Sequence, residues 1–419
     1  MTNNKGAYIL DCLRTPRARV KSGASALSSL HPQELLGQTL KALVEKTHID
    51  AGTIDDIIIG CVSEVGEQGA NVGRNAALTA GLPITAGAVT LNRCCASGLQ
   101  AVNFAAAEIA SGMAELMVAG GVESMSRVKM ASDGGGMDGN NMHLRERYLQ
   151  VPQGISADLI ATMQQYTRRD LDAFAVESQK KASGAQNAKK FAASLINPRD
   201  TVSGETLLAQ DNYPRPETTL ESLAGLDPAF TRAGAAPVNP SDEGSITLDQ
   251  GVLKFFPGVT KIEHMHTAGT ASGIVDGAAA VMLCSGGYVE RNKLKARGRI
   301  VSWAVGGCDP VSMMVGQPQI VLKALRLAGL ELKDIDLFEI NEAFAAIPLL
   351  VINKLGIDHS KVNVNGGAIA LGHPLGATGA ILLGTALDEL ESRDQRYALI
   401  TLCAAGGQAI ATIIESLHS

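Results

Sequence analysis

The sequence predicts an α/β protein made of helices layered on short buried strands, and three observations carry that expectation. Apolar runs of strand length alternate with helical stretches toward both ends of the chain. Glycine supplies 45 of 419 residues while aromatic residues make up only 4%. Against a usual glycine content of about 7%, that composition packs through Ala, Gly, Val and Leu, with tight turns and close backbone approaches. The third observation is an internal repeat that splits the chain into two similar halves.

In chain order, Ala7 to Asp11 reads as a first strand, Pro32 to Lys46 as a helix and Ile54 to Cys61 as a second strand. Ala86 to Leu91 reads as a buried strand, followed by a sharp turn at Asn92-Arg93-Cys94-Cys95 and a helix opening at Ala96-Ser97-Gly98. A strand from Glu115 to Ala119 ends at Gly120-Gly121. The last third repeats the theme. A helix from Gln319 to Ala328 leads to a strand from Asp334 to Ile340, a helix follows Pro374, and a strand from Ala398 to Leu402 ends near Gly406-Gly407.

A shift of 278 residues carries Glu64 onto Glu342, Gly98 onto Gly376 and Cys95 onto His373. The double glycines 120–121 and 406–407 align only after a further shift, which implies an insertion in the second copy. The repeat therefore places Cys95 and His373 at corresponding strand-to-helix turns. Two halves packed about a pseudo-twofold axis would bring both turns to one cleft. Between the halves, roughly Ser126 to His266 holds most of the long polar runs. Within it Leu171, Phe174, Ala175, Ser178 and Ala182 recur near 3.6-residue spacing, predicting a helix over 170–191. A large insertion after a strand either covers a site or serves as a packing or oligomerisation arm.

Bulk properties exclude several classes. With 36 basic and 42 acidic residues the net charge is −6, which disfavours nucleic acid as the main partner. Seven scattered cysteines, with no Cys-x-x-Cys and histidine partners, indicate neither a disulfide framework nor a zinc site, so no metal is expected. The first twenty residues resemble a strand more than a signal peptide, and no apolar run reaches the ~20 residues of a membrane span. The final Leu417-His418-Ser419 is not the peroxisomal address, so a cytoplasmic location is expected.

Chemistry concentrates at the turns. A cysteine at the start of a helix has its sulfur near unpaired N–H groups and the positive end of the helix dipole, which favours the nucleophilic thiolate. The same cysteine could simply be a small residue filling a tight turn. Three further motifs sit in comparable places: Asn341-Glu342-Ala343-Phe344-Ala345, the Gly-rich run from Asn365 to Gly379 containing Gly372-His373-Pro374, and Cys403-Ala404-Ala405-Gly406-Gly407-Gln408. Singly, each has a structural explanation, such as a helix cap at Asn341.

Together with Arg14-Thr15-Pro16, Gly120 to Ser126, Asp172 to Gln179, Arg215 to Glu221 and Thr267 to Gly277, these motifs resemble the thiolase family over essentially the whole chain. The resemblance implies two duplicated five-layered α-β-α-β-α halves with an inserted loop domain. The halves would be 1–125 plus 267–295 and 296–419, with 126–266 laid over the coenzyme A site. It implies that Cys95 is the nucleophile, His373 the base that takes its proton, and Cys403 the thiol exchanging a proton with the carbon beside the thioester. Asn341 would hold a water that forms one oxyanion site with His373. The backbone N–H groups of Cys95 and Ala405 would form the other, and Ser272 and Ala268 would line the coenzyme A tunnel. Cys94 has no catalytic counterpart.

The implied reaction is CoA-dependent cleavage of a 3-ketoacyl-CoA to acetyl-CoA and a shortened acyl-CoA, through an acyl group on Cys95. Sulfur suits that step because it is both a good nucleophile and a good leaving group. Coenzyme A is then a substrate and no cofactor is bound permanently. The resemblance also implies a homodimer or homotetramer, and leaves room for a hydratase/dehydrogenase partner.

There are departures from the family pattern. Ala405 stands where a glycine is usual, Thr270 and Val275 replace common asparagines, and Val151-Pro152-Gln153-Gly154 lacks a His-Met pair found in many short-chain enzymes. Three rival readings are an acetyl-CoA C-acetyltransferase handling acetoacetyl-CoA, a ketoacyl-synthase-like condensing enzyme, and a non-catalytic CoA-binding or assembly subunit. The second cysteine motif argues against the synthase. The four intact residues Cys95, Asn341, His373 and Cys403 argue against the non-catalytic subunit.

Overall fold

The computed structural model describes residues 6–418. The first half runs β1 (Ala7–Arg14), β2 (Ala18–Arg19), α1 (Pro32–Thr47), β3 (Asp56–Gly60), α2 (Val72–Thr79), β4 (Val89–Leu91), α3 (Ser97–Ser111) and β5 (Leu116–Ser124). Helices alone follow: α4 (Met142–Arg147), α5 (Gln153–Met163), α6 (Arg168–Asn187), α7 (Leu220–Ala224), α8 (Thr231–Gly234) and α9 (Leu248–Leu253). The chain returns through β6 (Val275–Ser285), α10 (Gly286–Asn292), β7 (Gly298–Gly307), α11 (Gln317–Ala328), β8 (Leu337–Ile340) and α12 (Ala346–Leu355). It ends with α13 (Ala368–Leu371), α14 (Thr378–Arg393), β9 (Tyr397–Ala404) and β10 (Gln408–Ser416).

The strand order β4-β3-β5-β6-β1-β7-β10-β9-β8 reads the same from either side of its centre. β3 and β5 pair in parallel, as do β8 and β9, and the remaining neighbours on the path from β5 to β9 are antiparallel. A single parallel bridge, Phe338 to Val362, stands where a mate for β4 would lie. The two half-sheets join through the short pairing Tyr8–Arg299 and Ile9–Gly298. This is the duplication expected from the 278-residue shift.

Three apolar cores define the layers. Leu35, Leu36, Leu40 and Leu43 of α1 pack with Val72 and Ala76 of α2 on one face of the first half-sheet. Leu99 and Val102 of α3 and Ile381, Leu383 and Leu387 of α14 fill the space between the half-sheets. Ile320 and Val321 of α11 and Ile347 and Val351 of α12 cover the far face of the second. The five layers are thus shared: each half supplies one sheet, one outer helix pair and one of the two central helices.

Local chemistry explains most boundaries. Pro32 at the first turn and the His31 side chain, accepting from Gln33 N–H, start α1. A capping box between Thr167 and Asp170 starts α6, and that helix stops at Asn187, short of the expected Phe191, because Lys189 turns left-handed at φ +56°. Two expectations need correction. The strand before Cys94 is not buried over 86–91: only Val89–Leu91 is extended, and it is an edge strand with Val89 44% exposed. The strand after α3 does not stop at Gly120-Gly121 but runs through them to Ser124. Those glycines are there for close approach, since a Cβ on Gly121 would collide with the carbonyl oxygen of Gly376.

Among the described residues, no helix is long and apolar enough to cross a membrane. The all-helical segment between β5 and β6 has a small core of its own from Leu149, Val151, Ile155, Leu159, Val252 and Ile262, closed by Val311 from the β7–α11 loop.

Candidate active site

The turns before α3 and α14 meet at the centre of the molecule. Gly98 faces the second half so closely that a Cβ there would lie 2.6 Å from Gly376 O, and Gly379 presses likewise on Leu99. Glu123, at the end of β5, pins this junction. Its buried carboxylate accepts from Val62 N (3.0 Å), Ser63 N (3.0 Å), Gln68 Nε2 (2.9 Å) and, across the halves, Gly376 N (2.9 Å). Cys95 and His373 are brought to one place, as expected. His373 differs in following the short helix α13 instead of a strand.

Cys95, His373, Asn341 and Cys403 are 4%, 3%, 1% and 0% exposed. For the two thiols and the imidazole that burial decides the resting charge, because desolvation disfavours the ionised form. It pushes the Cys95 thiol well up, with Cys403 and then Cys94 close enough to raise it further. It pushes Cys403 up to about 12. It lowers His373 to about 3, with the buried Arg17 cation adding to the shift. The expectation of a stabilised thiolate is therefore corrected. Burial outweighs the dipole of α3, and the amides of Ala96 and Ser97 are spent on Arg93 O and Cys94 O. The resting site holds a neutral imidazole and two protonated thiols.

The imidazole is oriented through one tautomer. Thr378 Oγ1 donates to Pro374 O (2.9 Å), so it accepts from His373 Nδ1–H at 2.6 Å. The Nε2 lone pair is left facing Asn341 Nδ2 at 3.2 Å, where it can take up a proton. Asn341 is fixed by its own N–H on Thr401 O (3.0 Å), and its buried Oδ1 has no hydrogen-bond partner among the described residues. The neighbouring Glu342 accepts from Ser178 Oγ (2.6 Å), Asn363 Nδ2 (2.8 Å) and Ile369 N (3.2 Å), tying α6 to the loop that carries α13.

The Cys95 turn is built differently. Cys94 takes φ +47°, a strained region for a residue with a Cβ. Its N–H is held by Asn92 Oδ1 at 2.7 Å, and Ser97 Oγ closes the turn by accepting from Arg93 N and donating to Cys94 O. Ala405 keeps a negative φ, so its methyl needs no special conformation, and the turn is completed by Gly406 and Gly407 at φ +77° and +73°. Burial raises the Cys94 thiol, and the nearby Ala405 N–H and then the Arg93 cation offset part of that rise.

Ser272 joins the site through its N–H on Ala343 O (2.9 Å), half-buried beside the Asn341 motif, while Ala268 is exposed on the preceding turn. Thr270 closes that turn, its Oγ1 accepting from Thr267 N–H at 2.8 Å, and Val275 packs so tightly on Gly372 that a side chain on that glycine would clash. Gly372 itself sits at φ +91°, directly before His373. Both departures thus have structural roles. Sequence reasoning did not single out Thr378 by role, although it lies inside the quoted His373 motif. It also missed the buried Arg17, which shares Asp211 with the bidentate Arg14 (2.8 Å to each oxygen). Burial alone would raise the Asp211 carboxyl, and the two guanidiniums reverse this, holding it at about 2.

Residues 7–247 match the N-terminal domain of the thiolase family and residues 294–416 its C-terminal domain. The chain is 39% identical to a 3-ketoacyl-CoA thiolase of Shewanella frigidimarina over 98% of this chain and 99% of that one. It is 38% identical to a 3-ketoacyl-CoA thiolase of Bacillus subtilis with the same coverage. A crystal structure of the Bacillus anthracis acetyl-CoA acetyltransferase superposes with a TM-score of 0.81 at 31% identity, covering 98% of this chain and 99% of that one. Two mirrored halves that press a buried thiol turn against a buried imidazole turn, matched end to end by these relatives, make this chain a member of the thiolase family of acyltransferases.

Proposed function

We propose that this protein is a 3-ketoacyl-CoA thiolase, cleaving its substrate with coenzyme A into acetyl-CoA and a shortened acyl-CoA. The observation that carries the reading is the Thr378–His373–Asn341 array, a tautomer-locked neutral base buried at the junction of the halves together with two buried thiols. Cys95 gives its proton to His373 Nε2 as its sulfur attacks the C3 carbonyl. The tetrahedral adduct collapses with rupture of C2–C3, leaving the acyl group on sulfur and acetyl-CoA as its enolate. Asn341, through a bound water, and His373 stabilise that enolate, a type of contact worth about 10²–10³ in rate. Cys403 protonates C2, and a second CoA thiol takes the acyl group from Cys95.

The first oxyanion is assigned to Cys95 N–H together with Ala405 N–H. Ser272 and Ala268 are assigned to the mouth of the coenzyme A tunnel, under the segment 126–266. Acyl-CoA and CoA are the small-molecule partners of this reading, in a homodimer or homotetramer. The similarity to an acetyl-CoA acetyltransferase favours a second reading, in which the pocket handles acetoacetyl-CoA with the same residues.

Intact mass after incubation with a 3-ketoacyl-CoA tests the assignment. Wild type should gain one acyl group, and Cys95→Ser should gain none while CoA-dependent cleavage falls by on the order of 10³-fold or more. Undiminished cleavage by that variant would reject the reading. Turnover across short, long, branched and ring-bearing substrates separates the two substrate classes.

A further inference from the structure

Helix α12 begins directly behind the Asn341 motif and has no N-cap of its own: Ala345 offers no side chain to the first amides. His266 fills that place from outside the helix, its Nε2 accepting from Ala346 N–H at 3.3 Å. The ring is fully buried, edge-on to Phe344 at 5.5 Å between centroids, with Nδ1 2.7 Å from Asp158 Oδ1. A backbone amide can only donate, so Nε2 carries no proton and the ring's single N–H points at Asp158. Asp158 is itself fully buried and accepts from Met265 N (3.1 Å), His266 N (2.9 Å) and His264 Nδ1 (2.8 Å). The tautomer of His266 is therefore fixed from α5.

The segment from Asn341 to Ala346 is clamped at both ends. At the strand end, Ile340 N donates to Asn363 Oδ1 (2.8 Å) and Asn341 N to Thr401 O. At the helix end, backbone bonds from Ala345 N to Thr270 O (3.0 Å) and from Ser272 N to Ala343 O are joined, among the described residues, by one side-chain hydrogen bond, from His266.

We propose that Asp158 and His266 are a positioning pair, fixing the helix end of this segment so that Asn341 stays at its distance from His373. The proposal rests on the thiolase reading of Asn341. His266 touches no reacting atom in that reading, so its loss affects the step that uses Asn341 more than acylation of Cys95.

The test compares two half-reactions of the full chain: deuterium exchange at C2 of acetyl-CoA, and acyl transfer to Cys95 followed by intact mass. His266→Asn keeps a donor for Asp158 but removes the acceptor for Ala346 and the ring beside Phe344. Asp158→Asn keeps an oxygen where Met265 N–H, His266 N–H and His266 Nδ1–H converge but sets its amide donor toward His264 Nδ1, weakening the anchor that fixes the tautomer. Each should slow C2 exchange by about 10- to 100-fold, while acyl transfer stays within about threefold. The double variant should be little worse than either single one, as expected for groups acting in series. His266→Gln, whose amide oxygen falls near Nε2, should recover most of the exchange. Parallel loss of both half-reactions, or unchanged exchange in His266→Asn, overturns the positioning pair. A wild-type protein that neither acylates nor exchanges would instead overturn the thiolase reading.

Discussion

The two turns that meet at the centre of this molecule occupy equivalent places in duplicated halves, yet they are stabilised in opposite ways. The Cys95 turn is shaped by its backbone: a left-handed Cys94, amides folded onto nearby carbonyls, and a sulfur that no side chain hydrogen-bonds among the described residues. The His373 turn is shaped by a side-chain relay from Pro374 O through Thr378 to the imidazole and on to Asn341. The difference follows from what each group needs. A thiol requires space to attack and later to release an acyl group, whereas an imidazole is useful only in one tautomer and one orientation. Duplication supplied the scaffold twice, and each copy was then fitted to a different chemical task.

The comparison breaks most sharply at Thr378. Thr378→Val keeps the shape but removes the acceptor for His373 Nδ1–H. We expect kcat to fall by about 10²-fold with KM little changed, and Thr378→Ser to restore most of it. Steady-state kinetics of the two variants checks this, and equal loss in both would show that packing matters more than the hydroxyl. Next is the contact between the turns. Gly98→Ala places a methyl against Gly376 O, where the backbone of both turns must move, and should cost about 1–3 kcal/mol, read as a lower denaturation midpoint. If the midpoint is unchanged, the halves are less tightly apposed than their geometry implies.

The smallest effect, near neutrality, is on pH dependence. Burial lowers folded His373 to about 3, whereas an unfolded histidine titrates near 6.5. Between those values the unfolded chain binds the extra proton, so the contribution of His373 to stability is complete above about 6.5 and is lost as pH falls. Replacing His373 with Asn should flatten that part of the stability–pH curve, measured by chemical denaturation between pH 7 and 4. A curve of unchanged slope would mean that the imidazole can be protonated without unfolding.

Much of the site was legible before folding because its residues lie in contiguous motifs. Cys95, Asn341 and Cys403 each follow an expected strand, His373 precedes an expected helix, and the 278-residue shift paired the two central turns. What escaped were contacts whose partners are far apart in sequence. His264 and His266 stand immediately before the Thr267-Ala268 motif, but their meaning comes from Asp158, more than a hundred residues earlier. Arg17 sits beside the quoted Arg14-Thr15-Pro16, yet only the fold shows that it is buried and close enough to bias His373. The wrong inference about the Cys95 thiolate had the same origin. Sequence reveals the helix that starts beside the sulfur, but not how completely water is excluded from it.

Composition, strand and helix punctuation and the internal repeat determined the α/β layering and the duplication, because these are set by local periodicity, while the resemblance of short motifs to the thiolase family pointed to the four central side chains. Tertiary structure alone decided the protonation of the two thiols and the imidazole, the imidazole tautomer and the capping of α12 by His266. Those properties depend on desolvation and on hydrogen-bond partners from distant segments, and neither exists until the halves close on one another.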